Sequence, residues 1–136
     1  MTRYRTSLLW IALAIAFAVT PAFAHHSFSA EFDSYHIITM SGVITKVDWI
    51  NPHAYWYMDV KGANGEVEHW ALEGYSPSEL HVAKITKDMV GKAGDEVTVD
   101  AFMAKDGTKH LAHIKAMRFA DGREITMWIK VPDSEK

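Results

Sequence analysis

The residues after position 36 predict a mainly β fold, a small partly open barrel of the OB type. Three observations carry this expectation. Between Ile37 and Trp128, β-branched and aromatic residues alternate with polar ones in short segments, the period-two signature of half-buried strands. Glycine, asparagine and aspartate pairs punctuate those segments as turns. One helical signal falls after the third strand, where an OB-fold places its helix. A generic small α+β roll gives a similar string, so element order alone leaves both architectures open.

The elements follow in order. Ile37 to Trp49 reads as a first strand, and Gly42 within it marks a bulge or a sharp coil. Asn51-Pro52 is a turn, Ala54 to Val60 a short aromatic strand, and Gly62-Ala63-Asn64-Gly65 a hairpin loop. Glu66 to Glu73 alternates again. Ser76-Pro77-Ser78-Glu79 then presents an N-cap, a proline at the first helical position and an acid in the first turn. Leu80, Val82, Ala83 and Ile85 carry that short helix onward until Gly91 to Gly94 closes the segment. Val97 to Ala104 and Leu111 to Phe119 are further strands separated by Asp106-Gly107. Asp121-Gly122 precedes an extra short strand, Arg123 to Trp128.

The N-terminus is a different kind of sequence. Arg3 and Arg5 precede the uncharged apolar run Leu8 to Val19, Pro21 breaks it, and Ala22-x-Ala24 offers the small residues of a cleavage site. This is the pattern of a signal peptide over residues 1–24. A bilayer span needs about 20 apolar residues, so an uncleaved anchor is the weaker reading. The n-region has no paired arginine, so general secretory (Sec) export is expected, with a periplasmic or secreted product and no stable membrane anchor after cleavage. The chain divides into residues 1–24 as leader, 25–36 as an extended arm that Phe28 and Phe32 tack onto the body, 37–130 as the barrel and 131–136 as a polar, flexible tail.

Composition narrows the function classes. The chain has no cysteine, which excludes disulfides, thiolate metal sites and a lipidated N-terminal cysteine. Losing Arg3 and Arg5 with the leader lowers the formal charge from -3 to -5. An acidic chain without a basic run makes nucleic acid a poor partner. No nucleophile elbow, placed triad or phosphate-cradling glycine loop is visible, so catalysis is not expected.

Histidine is the residue that points to chemistry; there are eight. His81 and His36 read as surface positions. His110 and His113 are three apart on a strand and so point to opposite faces. With Trp56, Met58 and Val60 inward, His53, Tyr55, Tyr57 and Asp59 line the outer face of the second strand. With Trp70 and Leu72 inward, His69 and Glu73 lie beside them on the third. That face, with Trp49, is a candidate ligand surface on strands that OB-folds use for binding; a merely solvated aromatic face is the competing reading. If cleavage follows Ala24, His25 gains a free α-amine, and amine, first amide and imidazole nitrogens of His25 and His26 chelate one ion. Nitrogen ligands in tetragonal arrangement suit Cu(II), and His53, after the Asn51-Pro52 turn, is the body residue placed to complete the set.

Four segments carry a family resemblance. His25-His26-Ser27-Phe28, Val47-Asp48-Trp49-Ile50-Asn51-Pro52-His53, Gly74-Tyr75-Ser76-Pro77 and Ala104-Lys105-Asp106-Gly107 resemble the recurring motifs of an uncharacterised family of bacterial exported proteins, a domain of unknown function. The resemblance covers essentially the whole chain after the leader. It implies an exported, barrel-like single domain and no known activity.

The expectation is therefore a non-enzymatic periplasmic domain that binds copper through His25, His26 and His53. It would act as a chaperone or accessory to an exported redox enzyme or a metal acceptor protein. The alternative is a docking module for a small molecule or protein, using Trp49, Tyr55, Tyr57, His69 and Glu73, with the histidines incidental. A small copper redox enzyme is a third, weaker possibility.

Overall fold

The computed structural model describes residues 28–129. The leader, His25, His26 and the tail from residue 130 lie outside the described residues. The chain is mainly β. Helix α1 (Phe28–Glu31) is a single turn, followed by strands β1 (Phe32–Asp48), β2 (Tyr55–Lys61) and β3 (Val67–Glu73). Helix α2 (Pro77–Val82) comes next, then β4 (Glu96–Ala104), β5 (Leu111–Phe119) and β6 (Glu124–Thr126). The sheet order is β3-β2-β1-β4-β5-β6, and a parallel pairing of β3 with β5 makes it ring-like. This is the strand-helix order of an OB-fold, with β6 as the additional C-terminal strand.

One long strand makes the ring possible. β1 has 17 residues; its first half pairs with β4 and its second with β2, overlapping at Gly42 and Val43. The β1–β2 register shifts between Ile44 and Lys46, the extra residue that bends a strand. Gly42 sits at the overlap because the backbones close in: a Cβ there would lie 2.3 Å from the Asp59 carbonyl oxygen. β1 begins at Phe32, ahead of Ile37, because Phe32 pairs with Ala104 and is buried.

Alternation fills the interior. Trp56, Met58 and Val60 of β2 and Leu72 of β3 point inward and meet Ile44, Val99, Ile114 and Met117. Helix α2 closes one end. Ser76 caps it, with its hydroxyl accepting from the Glu79 backbone and the Glu79 carboxylate accepting from the Ser76 backbone, the reciprocal capping box. Its single buried residue is Leu80. The helix is shorter than its apolar residues suggest: Lys84 turns left-handed (φ 65°), Ile85 is buried beyond that turn, and Val82 is left 80 % exposed. Among the described residues, no helix is long and apolar enough to cross a membrane.

A second, smaller aromatic layer covers the outside of the ring. The arm lays Phe28 against Phe102, His113 and Trp128, with ring centroids 4.4–5.2 Å away, and stacks it on Phe32 at 5.8 Å. Lys105 ties the arm down. Its ammonium donates to the Ser29 carbonyl at 2.6 Å and its backbone N–H to the Glu31 carbonyl at 2.8 Å.

A candidate histidine–carboxylate site under the N-terminal arm

The site lies where β3 and β5 close the ring. Parallel pairing sets Glu73 beside His113, and antiparallel pairing sets Tyr55 beside Glu73. All three side chains leave the sheet on the face away from the core, because each follows or precedes an inward residue by one position. On an uncovered sheet they would meet water. Here Glu73 is 7 % and His113 3 % exposed; Phe28 and Phe32 of the arm, with Tyr75 and Trp128, surround His113.

Glu73 has two protein partners. The Tyr55 hydroxyl donates to its Oε2 at 2.6 Å. His53 Nδ1 approaches its Oε1 to 2.9 Å. The ring is tilted, so this contact is close without being a well-aligned hydrogen bond, and Nδ1 is buried with no better partner. About a third of the His53 side chain remains exposed (34 %), on atoms other than Nδ1. The backbone holding His53 is firm. Ala54 N–H donates to the Tyr75 carbonyl at 3.2 Å, and Gly74 N–H donates to the Ala54 carbonyl at 2.8 Å.

The electrostatics follow from burial. Desolvation, then the hydrogen bond to Glu73, lifts the Tyr55 phenol well above the usual tyrosine range, and Glu31 of the arm adds to the rise. Desolvation pushes Tyr75 up to about 12. Burial pulls His113 down to about 4, only partly opposed by its contact with the Ile114 carbonyl, and the neighbouring His53 deepens the fall. His113 is therefore a neutral imidazole at neutral pH. Phe28, Phe32 and Tyr75 lie edge-on to it, with ring centroids 5.1–5.3 Å away.

Of the residues expected from sequence, His53, Tyr55 and Glu73 come together. Tyr57 stacks on Tyr55 at 6.3 Å, with the Lys46 ammonium 5.3 Å from its ring. His69 stands further along the sheet, exposed and paired with Asp59 at 2.6 Å. Trp49 belongs to another surface: it packs edge-on against Trp56 at 6.1 Å and lines a groove with Pro77, His81 and Ile85 beside α2. His25 and His26 lie outside the described residues. Among the described residues, no three His, Asp or Glu side chains converge on a point that could hold a metal ion.

Sequence reasoning passed over His113, Tyr75 and Trp128. The signal for His113 was in β5, where Ala112-His113-Ile114 is buried on both faces. A strand that reads apolar without alternation is covered on both sides, and a histidine inside such a run is enclosed.

Phe28 rests on His113, His53 on Glu73, Tyr75 on His113, and Lys105 on Ser29. No curated protein matches the chain. No solved structure matches it either. A sequence family described only as of unknown function, DUF6152, matches residues 13–127, and the chain belongs to that family.

Proposed function

We propose that this protein is an exported metal-binding domain, with copper as its ion, in which His53 joins the amine and imidazole nitrogens of His25 and His26. The observation that carries the reading is the seating of Phe28 against His113. Consecutive Cα atoms are about 3.8 Å apart, so His26 lies within about 8 Å of the Phe28 Cα wherever its chain runs. An N-terminus cleaved after Ala24 would thus begin within about 12 Å of the Phe28 Cα, and Phe28 touches His113, the strand partner of Glu73. All the nitrogen donors are of the type that suits Cu(II). Glu73 supports His53 from behind, as carboxylates commonly support metal-bound histidines.

The docking alternative draws on Glu73 as a surface residue. Because Glu73 is buried and already faces His53 and Tyr55, the geometry favours the metal reading. The protein would then carry copper to, or for, an exported redox enzyme.

Two measurements test it. Mass spectrometry of the processed protein is expected to give His25 as the first residue; a start at Phe23 or Ser27 removes the chelate and ends the proposal. Cu(II) competition titration is expected to show at least a tenfold weaker affinity for His53→Ala than for the wild type. An unchanged affinity would mean that the body donates no ligand.

A further inference from the structure

We infer that Glu73 is a positioning residue that places the imidazole proton of His53 on Nδ1 and leaves Nε2 as the nitrogen open to a metal ion. The use of Nε2 rests on the metal reading above; the proton assignment does not.

The argument is one of acceptors. His53 Nδ1 is buried and 2.9 Å from Glu73 Oε1. A carboxylate oxygen only accepts. If Nδ1 carried a lone pair, two acceptors would face each other at that distance with no water between them, and a buried group in that state is costly. With the proton on Nδ1, the contact is attractive even with an imperfect angle. The free side-chain tautomer ordinarily keeps its proton on Nε2, so this environment reverses the usual preference. Nε2 then bears the lone pair, and the side chain's exposed area belongs to atoms other than Nδ1.

Glu73 can do this because it is itself held. Tyr55 donates to its second oxygen at 2.6 Å, and strand pairing with both Tyr55 and His113 fixes its backbone on two sides. The order Tyr55–Glu73–His53 is a donor, a bridge and an oriented imidazole. Such outer partners fix the tautomer and direction of a ligating histidine, and losing one commonly weakens metal affinity 10- to 100-fold.

Nitrogen-15 NMR of the histidine-labelled, metal-free processed protein at pH 8 tests the assignment directly. His53 is expected to carry its proton on Nδ1; a proton on Nε2 overturns the inference even if copper binds. In Glu73→Gln, whose amide can turn its NH2 toward Nδ1, the tautomer is expected to shift to Nε2–H and Cu(II) affinity to drop 10- to 100-fold. A shifted tautomer with unchanged affinity would remove the positioning role. Tyr55→Phe, a milder change, guards against a misfolded Glu73 variant: it is expected to give a mixed tautomer and a smaller loss. A wild type that binds no copper but shows Nδ1–H would overturn the metal reading alone.

Discussion

The ammonium of Lys105 donates to the carbonyl of Ser29 at 2.6 Å, joining a turn late in the chain to the N-terminal arm. This contact holds the arm whose Phe28 and Phe32 lie edge-on to the buried His113 of β5. Fixing both strands in a ring leaves Glu73 and His113 on a face that only a distant segment can cover.

Releasing that arm is the first prediction. Lys105→Ala removes an exposed charge-assisted bond and is expected to cost about 0.5–1.5 kcal/mol. Phe28→Ala, which empties part of the aromatic layer, is expected to cost about 1–3 kcal/mol, since Phe28 is only part-buried. Urea denaturation gives both values. Hydrogen exchange of residues 28–32 should rise in each variant while the β2 core stays protected. Copper affinity of Phe28→Ala should fall to that of a free His-His peptide; retention of wild-type affinity would show that the arm needs no anchor.

Trp56 is the second. It is fully buried, its indole N–H donates to the Val90 carbonyl at 2.9 Å, and it ties β2 to the loop after α2. Trp56→Phe leaves that carbonyl without its donor and opens a small void, so a loss of about 2–4 kcal/mol is expected. The same ring lies against Gly74, where a Cβ would come within 2.7 Å of it. Gly74→Ala should therefore cost about 1–3 kcal/mol by overpacking. Thermal or urea unfolding checks both, and a neutral Gly74→Ala would show that Trp56 can shift.

Gly42 gives a sharper steric test. A Cβ there meets the backbone oxygen of Asp59, not the end of a flexible side chain. The β1–β2 ladder has to part locally to admit it. Gly42→Ala is expected to destabilise the fold by about 2–4 kcal/mol and to raise hydrogen exchange along Gly42 to Ile44. Gly65→Ala makes a useful contrast, because no atom crowds that position and only its positive φ (84°) resists, with an expected cost of about 1 kcal/mol.

Acid sensitivity is the fourth. The forked Arg118 guanidinium bonds both oxygens of Asp100 at 2.7 and 2.9 Å, and the Thr39 hydroxyl donates at 2.6 Å. The Arg118 bonds first, then Thr39, hold Asp100 at about 2 in the fold, against an ordinary value of about 3.9. A depressed folded value means that the unfolded chain takes up the proton first. The stabilisation is thus complete above about pH 4 and is lost as pH falls toward 2. Because both side chains are partly exposed, solvent screening limits it to about 1 kcal/mol. Asp100→Asn should flatten the stability–pH curve across that window, and Arg118→Lys should weaken the effect because it loses the two-pronged geometry. An unchanged acid slope would show that the pair contributes nothing.

Local rules made much of this protein readable. Alternation placed Trp56, Met58, Val60, Trp70 and Leu72 inward, Ser76-Pro77-Ser78-Glu79 announced the helix start, and Gly42, read as a bulge or sharp coil, lies just ahead of the register shift between Ile44 and Lys46. Each of these depends on neighbours a few residues away, so the pattern is written in consecutive letters. The outward set was harder. Period two tells which residues leave the core, but not which of them another segment will roof. Tyr57 and His69 remained at the surface, whereas Glu73 was covered and His113, set aside because it shares no face with His110, became the most enclosed imidazole among the described residues.

What the amino-acid order determined alone was the string of strands, turns and one capped helix, and the inward half of each strand. Only the tertiary structure decided that the outward Glu73 faces His53 in a dry setting. That outcome needs β3 to pair with β5, and the burial of His113 beside it needs the arm to fold back onto β5, contacts between residues far apart in the chain whose burial no local period encodes.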